Sequence, residues 1–224
     1  MFSRNKINMI VCDMAGTIIQ EKGIVYNSLF NTVKLIKPDL EMSEINKFYG
    51  CNKKEVIDFF VDVEKMNSPE IVKNNLNSEF NYYLKKEYKN NKNVTLINPN
   101  LPSFFNALRD QDIKIALNTG YNKEIQKILI DKFNLNECID DFISSEEVSR
   151  GRPYPHMLTK LLRRNNITDP STVIKIGDSI PDILEGKNAN TKTVAVLSGA
   201  EKKVNLEDYK PDFILDTIMD LKIN

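Results

Sequence analysis

The tightest constraint on the fold is a series of short β-branched runs that are apolar on both faces and stop at turn residues: INMIVCD, IKIALNTG, VIKIGDS, TVAVLSG and DFILD. A strand with one wet face alternates apolar and polar residues. A run that is apolar throughout needs cover on both sides, and helices packed on a parallel sheet supply it. Helical patterns stand between these runs. LPSFFNALRD carries Pro102 near its start, NKEIQKILIDKF sets Ile125, Ile128 and Leu129 on one face, and PHMLTKLLRR does the same with Met157, Leu158, Leu161 and Leu162. The alternation from residue 93 onward predicts an α/β fold with a doubly wound, Rossmann-like parallel sheet.

Residues 19 to 92 break the rhythm, and no strand is expected there. Val25, Leu29, Val33 and Ile36 share a helical face, as do Val56, Phe59, Phe60 and Val63. A third pattern runs Val72, Leu76, Phe80, Tyr83 and Leu84, with Ser68 as its N-cap and Pro69 at the first helical position. The expected organisation is an α/β core from residues 1–18 and 93–224, with a small all-helical cap, 19–92, inserted after the first strand. The polar stretch KNNKNV marks the return.

Composition narrows the function classes. Lys plus Arg and Asp plus Glu each total 31, so the chain lacks the basic excess of a general nucleic-acid binder. Cys12, Cys51 and Cys138 are far apart with no CxxC pair, which argues against a disulfide scaffold or a thiolate zinc site. His156 is the one histidine, so a His-rich metal site is excluded. No apolar run approaches the ~20 residues of a membrane span, and no signal-peptide pattern opens the sequence. A cytoplasmic protein is expected, with no nucleic-acid or membrane partner.

In open α/β sheets ligands bind beyond the carboxyl ends of the strands. Asp13 ends the first run, Thr119 with Gly120 ends IKIALNTG, Arg152 follows DDFISS, and Asp178 ends VIKIG with Asp182 just beyond. Each also has an ordinary structural reading, as a turn, a helix cap or a solvated cation. Together an acid, a hydroxyl, a cation and an acid pair suit phosphoryl chemistry. One carboxylate attacks phosphorus, hydroxyl and amides hold its oxygens, and the remaining acids hold Mg²⁺, a hard ion that favours oxygen.

These motifs, in this order, resemble those of the haloacid dehalogenase superfamily. The likeness covers essentially the whole chain. Within the superfamily, DMAGT, NTGY, GRPYP and GDSIPD look most like phosphonoacetaldehyde hydrolase (phosphonatase) and the phosphonatase-like hydrolases. The resemblance implies that Asp13 is the nucleophile, and that Asp13, the Ala15 carbonyl and Asp178 ligate Mg²⁺ with Asp182 supporting them. It further implies that Thr119, with Gly120 and Tyr121, binds substrate, and that Arg152 replaces the more usual lysine.

Ala15 stands where the superfamily's phosphomonoesterases carry a second carboxylate, which protonates the leaving group. That help is typically worth ~10²–10⁴-fold in rate. An alanine cannot give it. Either the leaving group departs unaided, or another residue moves the proton, or the bond cleaved is carbon–phosphorus. In the last case a lysine imine takes up the electrons, and Gly50-Cys51-Asn52-Lys53 resembles the phosphonatase segment whose lysine forms that imine. Val56 stands where phosphonatases have a histidine. The reading is a Mg²⁺-dependent hydrolase acting on a small phosphorylated or phosphonylated metabolite. Phosphonatase-like C–P hydrolysis comes first, and the alternatives are a phosphatase for substrates with good leaving groups and a non-catalytic phosphate-binding protein. A homodimer is left open.

Overall fold

The computed structural model describes residues 7–48, 51–61, 67–199 and 201–223. Its strands in chain order are β1 (Met9–Cys12), β2 (Ile19–Gln20), β3 (Thr95–Leu96), β4 (Lys114–Thr119), β5 (Asp141–Ser144), β6 (Val173–Gly177), β7 (Lys192–Val196) and β8 (Phe213–Leu215). Six of them form one sheet in the order β5-β4-β1-β6-β7-β8, and every neighbouring pair is parallel. The chain leaves β1 for β4 and β5 on one side, then crosses to β6, β7 and β8 on the other. The order therefore reverses at β1, and the ligand crevice of such a sheet opens at the carboxyl ends of β4, β1 and β6.

The helices are α1 (Ile24–Lys34), α2 (Met42–Asn46), α3 (Lys53–Phe60), α4 (Pro69–Asn90), α5 (Leu101–Arg109), α6 (Lys123–Lys132), α7 (His156–Arg164), α8 (Ile180–Asn188) and α9 (Lys203–Asp208). β1 is buried at every residue because its two faces serve two layers. Ile10 and Cys12 join a core with Phe105 of α5 and Ile125 of α6, while Met9 and Val11 pack with Met157, Leu158 and Leu161 of α7. This two-sided cover is what the unbroken apolar runs require.

Between β2 and β3 the described residues form α1 to α4, with α1 packed on α4 and α4 on α6. The segment differs in detail from the sequence pattern. Ile19 and Gln20 form a two-residue strand, β2, which pairs antiparallel with Leu96 and Thr95 of β3, so the outgoing and returning chains are zipped together. A pair this short carries no alternation to read. In α3 the buried pair is Val56 and Ile57, and Phe59 is 69% exposed. Phe59 instead stacks against Phe48 and Phe60 at ring separations of 5.1 and 5.3 Å. In α4 the inward stripe is Leu76, Phe80, Leu84 and Tyr88, and Tyr83 turns outward. Ser68 precedes Pro69 as expected but makes no side-chain cap bond. Gly50 and Val63 lie outside the described residues.

Phe105 is fully buried between the sheet and α5, whereas its neighbour Phe104 is half-buried. Phe105→Ala is expected to lower the unfolding free energy by about 3–5 kcal/mol, and Phe104→Ala by clearly less. Urea titration of the two variants checks the difference.

Candidate active site

Asp13 is the first residue past β1, and its N–H donates to the Ile176 carbonyl of β6 at 2.9 Å, which ties the turn to the neighbouring strand. The chain then reverses through Gly16, whose φ of 81° is left-handed, and its N–H donates to the Ile19 carbonyl at 2.8 Å. Glycine is needed there on a second count. A Cβ at position 16 would stand 2.5 Å from Asp178 Oδ2. The Thr17 hydroxyl donates to Asp178 Oδ1 at 3.2 Å, so this turn and the one after β6 hold each other.

Arg152 reaches in from the loop after β5. Its Nη2 lies 2.8 Å from Asp13 Oδ1, and its Nη1 bonds Asp182 Oδ1 in the first turn of α8. A second buried cation backs this pair. Lys175, inside β6, places Nζ 2.7 Å from Asp182 Oδ1, 2.9 Å from Asn118 Oδ1 and 3.8 Å from Glu185 Oε2. Asn118 in turn donates to Glu185 Oε2 at 2.7 Å, and Ser179 donates to Asp182 Oδ2 at 2.5 Å.

The electrostatics follow from these partners. Burial acts to raise the pKa of Asp182, but Arg152, Lys175 and the Ser179 hydroxyl outweigh it and hold it at about 2. Asp13 pairs with Arg152 and accepts a backbone bond from Met14. Burial wins there, aided by the nearby Asp182 charge, and its pKa is raised despite Arg152. Burial likewise pushes Glu185 up to about 7 against the attraction of Lys175 and Arg152.

Lys53 opens α3, behind the Asn52 cap that accepts from the Glu55 N–H at 3.1 Å. Its neighbour Lys54 points to solvent, but Lys53 turns inward and is buried. Lys53 Nζ donates to the Cys51 carbonyl at 2.8 Å and sits 4.7 Å above the Tyr26 ring, 3.4 Å from its hydroxyl. Burial lowers its pKa to about 8, with Arg152 pushing the same way and Cys51, Glu21 and Asp13 opposing.

Asp13, Ala15, Lys53, Thr119, Gly120, Tyr121, Arg152 and Asp178 all border one cavity of about 400 Å³. That volume suits a small metabolite. Thr119 is buried at the end of β4, with its hydroxyl oxygen accepting from the Tyr121 N–H at 3.2 Å. Asp182 stands behind the cavity wall, its two oxygens already engaged by Arg152, Lys175 and Ser179.

The donor set fits a hard divalent cation. One carboxylate oxygen from each of Asp13, Asp178 and Asp182 falls within a 4.8 Å cluster, and oxygen is the ligand Mg²⁺ prefers. Burial leaves the charge of Asp13 less compensated than that of Asp182. An anion fits as well. Arg152 Nε is buried and has no partner within the described chain, so the guanidinium keeps an N–H to offer.

A model of the haloacid dehalogenase-like hydrolases matches residues 10–196. The chain belongs to that family. It is 26% identical to the pyrophosphatase PpaX of Bacillus cereus (strain Q1) over 219 residues, which cover 96% of this chain and 95% of that one. Solved structures share the fold. A phosphonoacetaldehyde hydrolase-like protein from Oleispira antarctica superposes with a TM-score of 0.78 at 19% identity, covering 99% of this chain and 92% of the other. β-Phosphoglucomutase from Clostridium difficile does so with a TM-score of 0.80 at 18% identity, covering 96% and 93%. The family-level function is thus that of a haloacid dehalogenase-like hydrolase.

Several site residues escape motif reading. Lys175, Asn118, Glu185, Glu21 and Tyr88 all take part in buried polar contacts at or behind the cavity. The usable signal was Lys175, a charge in the middle of a run that is otherwise apolar on both faces. Such a residue is buried and must be paired.

Lys175→Met keeps about the size of the side chain but removes the buried cation that Asp182 and Glu185 share. Removal of one partner from a buried ion pair predicts a loss of about 3–5 kcal/mol, read by denaturant titration. Lys53 is expected to react with an amine acylating reagent with a midpoint near about 8, well below the exposed lysines. A lowered lysine pKa means the neutral amine appears at lower pH, and peptide mapping across a pH series checks it.

Proposed function

We propose that this chain hydrolyses a small phosphonate bearing a carbonyl group, with Asp13 attacking phosphorus and Lys53 forming an imine with the carbonyl. One observation carries the reading: a buried amine with a lowered pKa borders the same cavity as Asp13, where Ala15 supplies no acid. A neutral amine is what condensation with a carbonyl needs, and the resulting iminium is the electron sink that C–P cleavage requires.

The other groups take roles their positions suit. Arg152 holds Asp13 and keeps an N–H for a phosphoryl oxygen. Thr119 and the amides about Gly120 and Tyr121 face the same oxygens, at the carboxyl end of β4. Asp13, Asp178 and the Ala15 carbonyl would hold Mg²⁺, with Asp182 behind them, and the ion would neutralise phosphoryl charge. Residues 19–92 act as a cap in this reading, closing over the cavity and excluding water while Lys53 meets the substrate.

The 26% identity to a pyrophosphatase over nearly the full length favours a second reading. Pyrophosphate carries its own good leaving group, so Ala15 is no handicap, and Lys53 then serves as a binding cation.

Borohydride added with phosphonoacetaldehyde is expected to leave a covalent adduct on Lys53, found by mass spectrometry. Lys53→Ala is expected to release phosphate from that substrate at least about 10²-fold more slowly. Absence of the adduct, together with phosphate release from pyrophosphate, overturns the first reading in favour of the second.

A further inference from the structure

Glu21 follows β2, is 6% exposed and borders the cavity that holds Asp13. Its Oε2 bonds the hydroxyls of Tyr88, in α4, and of Tyr121, the latter at 3.1 Å. Those two hydroxyls also lie 2.7 Å from each other. Three oxygens therefore close a ring with a contact on each side.

Counting protons decides its state. Each phenol has one proton to donate, so an ionised carboxylate leaves one side of the ring with no proton, lone pair against lone pair. A protonated carboxyl gives every oxygen one bond to donate and one to accept. Burial favours the same form, since an ionised group away from water is costly. It raises the pKa of Glu21 against the two phenols, Lys53 and the Val25 N–H, and Tyr26 of α1 bears on the same hydroxyls.

We infer that Glu21 is a catalytic acid, kept neutral by its burial in the ring with Tyr88 and Tyr121, that delivers the proton Ala15 cannot. The inference rests on attack by Asp13 at phosphorus and serves either bond. Asp13 Oδ bonds to phosphorus, the bond to the departing atom breaks, and the electron pair leaves with the departing group. In an ester that atom is oxygen, which takes the Glu21 proton directly. In the imine-activated phosphonate the pair moves into the iminium, and the carbon of the resulting enamine is protonated. Glu21 is left as a carboxylate accepting from both phenols. Water then attacks the phosphoryl group on Asp13: its oxygen bonds to phosphorus, the bond to Asp13 Oδ breaks to free phosphate, and one water proton returns to Glu21.

Phenyl phosphate and 2,4-dinitrophenyl phosphate separate this role from a structural one, because only the poorer leaving group needs the proton. Glu21→Gln is expected to lose about 10²–10⁴-fold in kcat on phenyl phosphate and about tenfold or less on the dinitrophenyl ester. The infrared difference spectrum, wild type minus Glu21→Gln at neutral pH, should show the carbonyl stretch of one buried protonated carboxyl beyond any that Glu185 gives to both proteins. Equal losses on the two esters, or no such band in the difference spectrum, overturn the role of Glu21 and leave the Asp13 reading standing. No turnover of either ester that Asp13→Asn abolishes overturns both. Should Glu21→Gln not fold, Tyr88→Phe and Tyr121→Phe each break the ring with the carboxyl in place, and the same contrast between esters decides.

Discussion

The Arg152 guanidinium lies between Asp13 and Asp182, and the site depends on that bridge. The three charges come from the loops after β1 and β5 and from the start of α8, and all are buried. Taking charges out of water costs several kcal/mol per ion unless pairing and hydrogen bonds offset it. The bridge does so only because Lys175 adds a second cation behind Asp182. With Asp182 so well satisfied, Arg152 is held at a fixed distance from Asp13 and still keeps one N–H for an anion. Asp13 and Asp178 border the cavity, where with Asp182 they could hold a divalent cation.

The helices between β2 and β3 give the cavity a wall of a different character. The sheet side is made of charges in fixed pairs. The helical side presents an amine over an aromatic ring and a carboxyl among phenols. Groups of that kind change protonation rather than hold a permanent charge. The two sides bring different kinds of group to one cavity. The pyrophosphatase relatives and the phosphonatase-like motifs are thus compatible with one sheet-side machinery.

The sequence made the α/β sheet legible because burial on both faces leaves unbroken apolar runs, and β1, β4, β6, β7 and β8 fall on those runs. Asn190, a residue type that tolerates left-handed backbone, has a φ of 59°. The site motifs were legible because residues past strand ends face the crevice whatever the intervening chain does. What escaped was anything set by packing across the chain. Phe59 matches a helical stripe but finds ring partners at the surface. Tyr88 reads as one more apolar position, yet its hydroxyl meets Glu21 from 67 residues away. Ile19 and Gln20 are strand only because Leu96 and Thr95 return beside them.

The bond between Thr17 and Asp178 spans 161 positions of the chain. It needs β6 docked beside β1, and the chain that makes β4 and β5 lies between them. Contacts of such separation are slow to form, since the intervening chain must first give up its freedom. Neither half of this molecule can therefore acquire the chemistry ahead of the other. A ribosome-bound chain that has not yet exposed β6 holds Asp13 without its neighbours, and any lesion that loosens that one strand silences the enzyme before the rest unfolds.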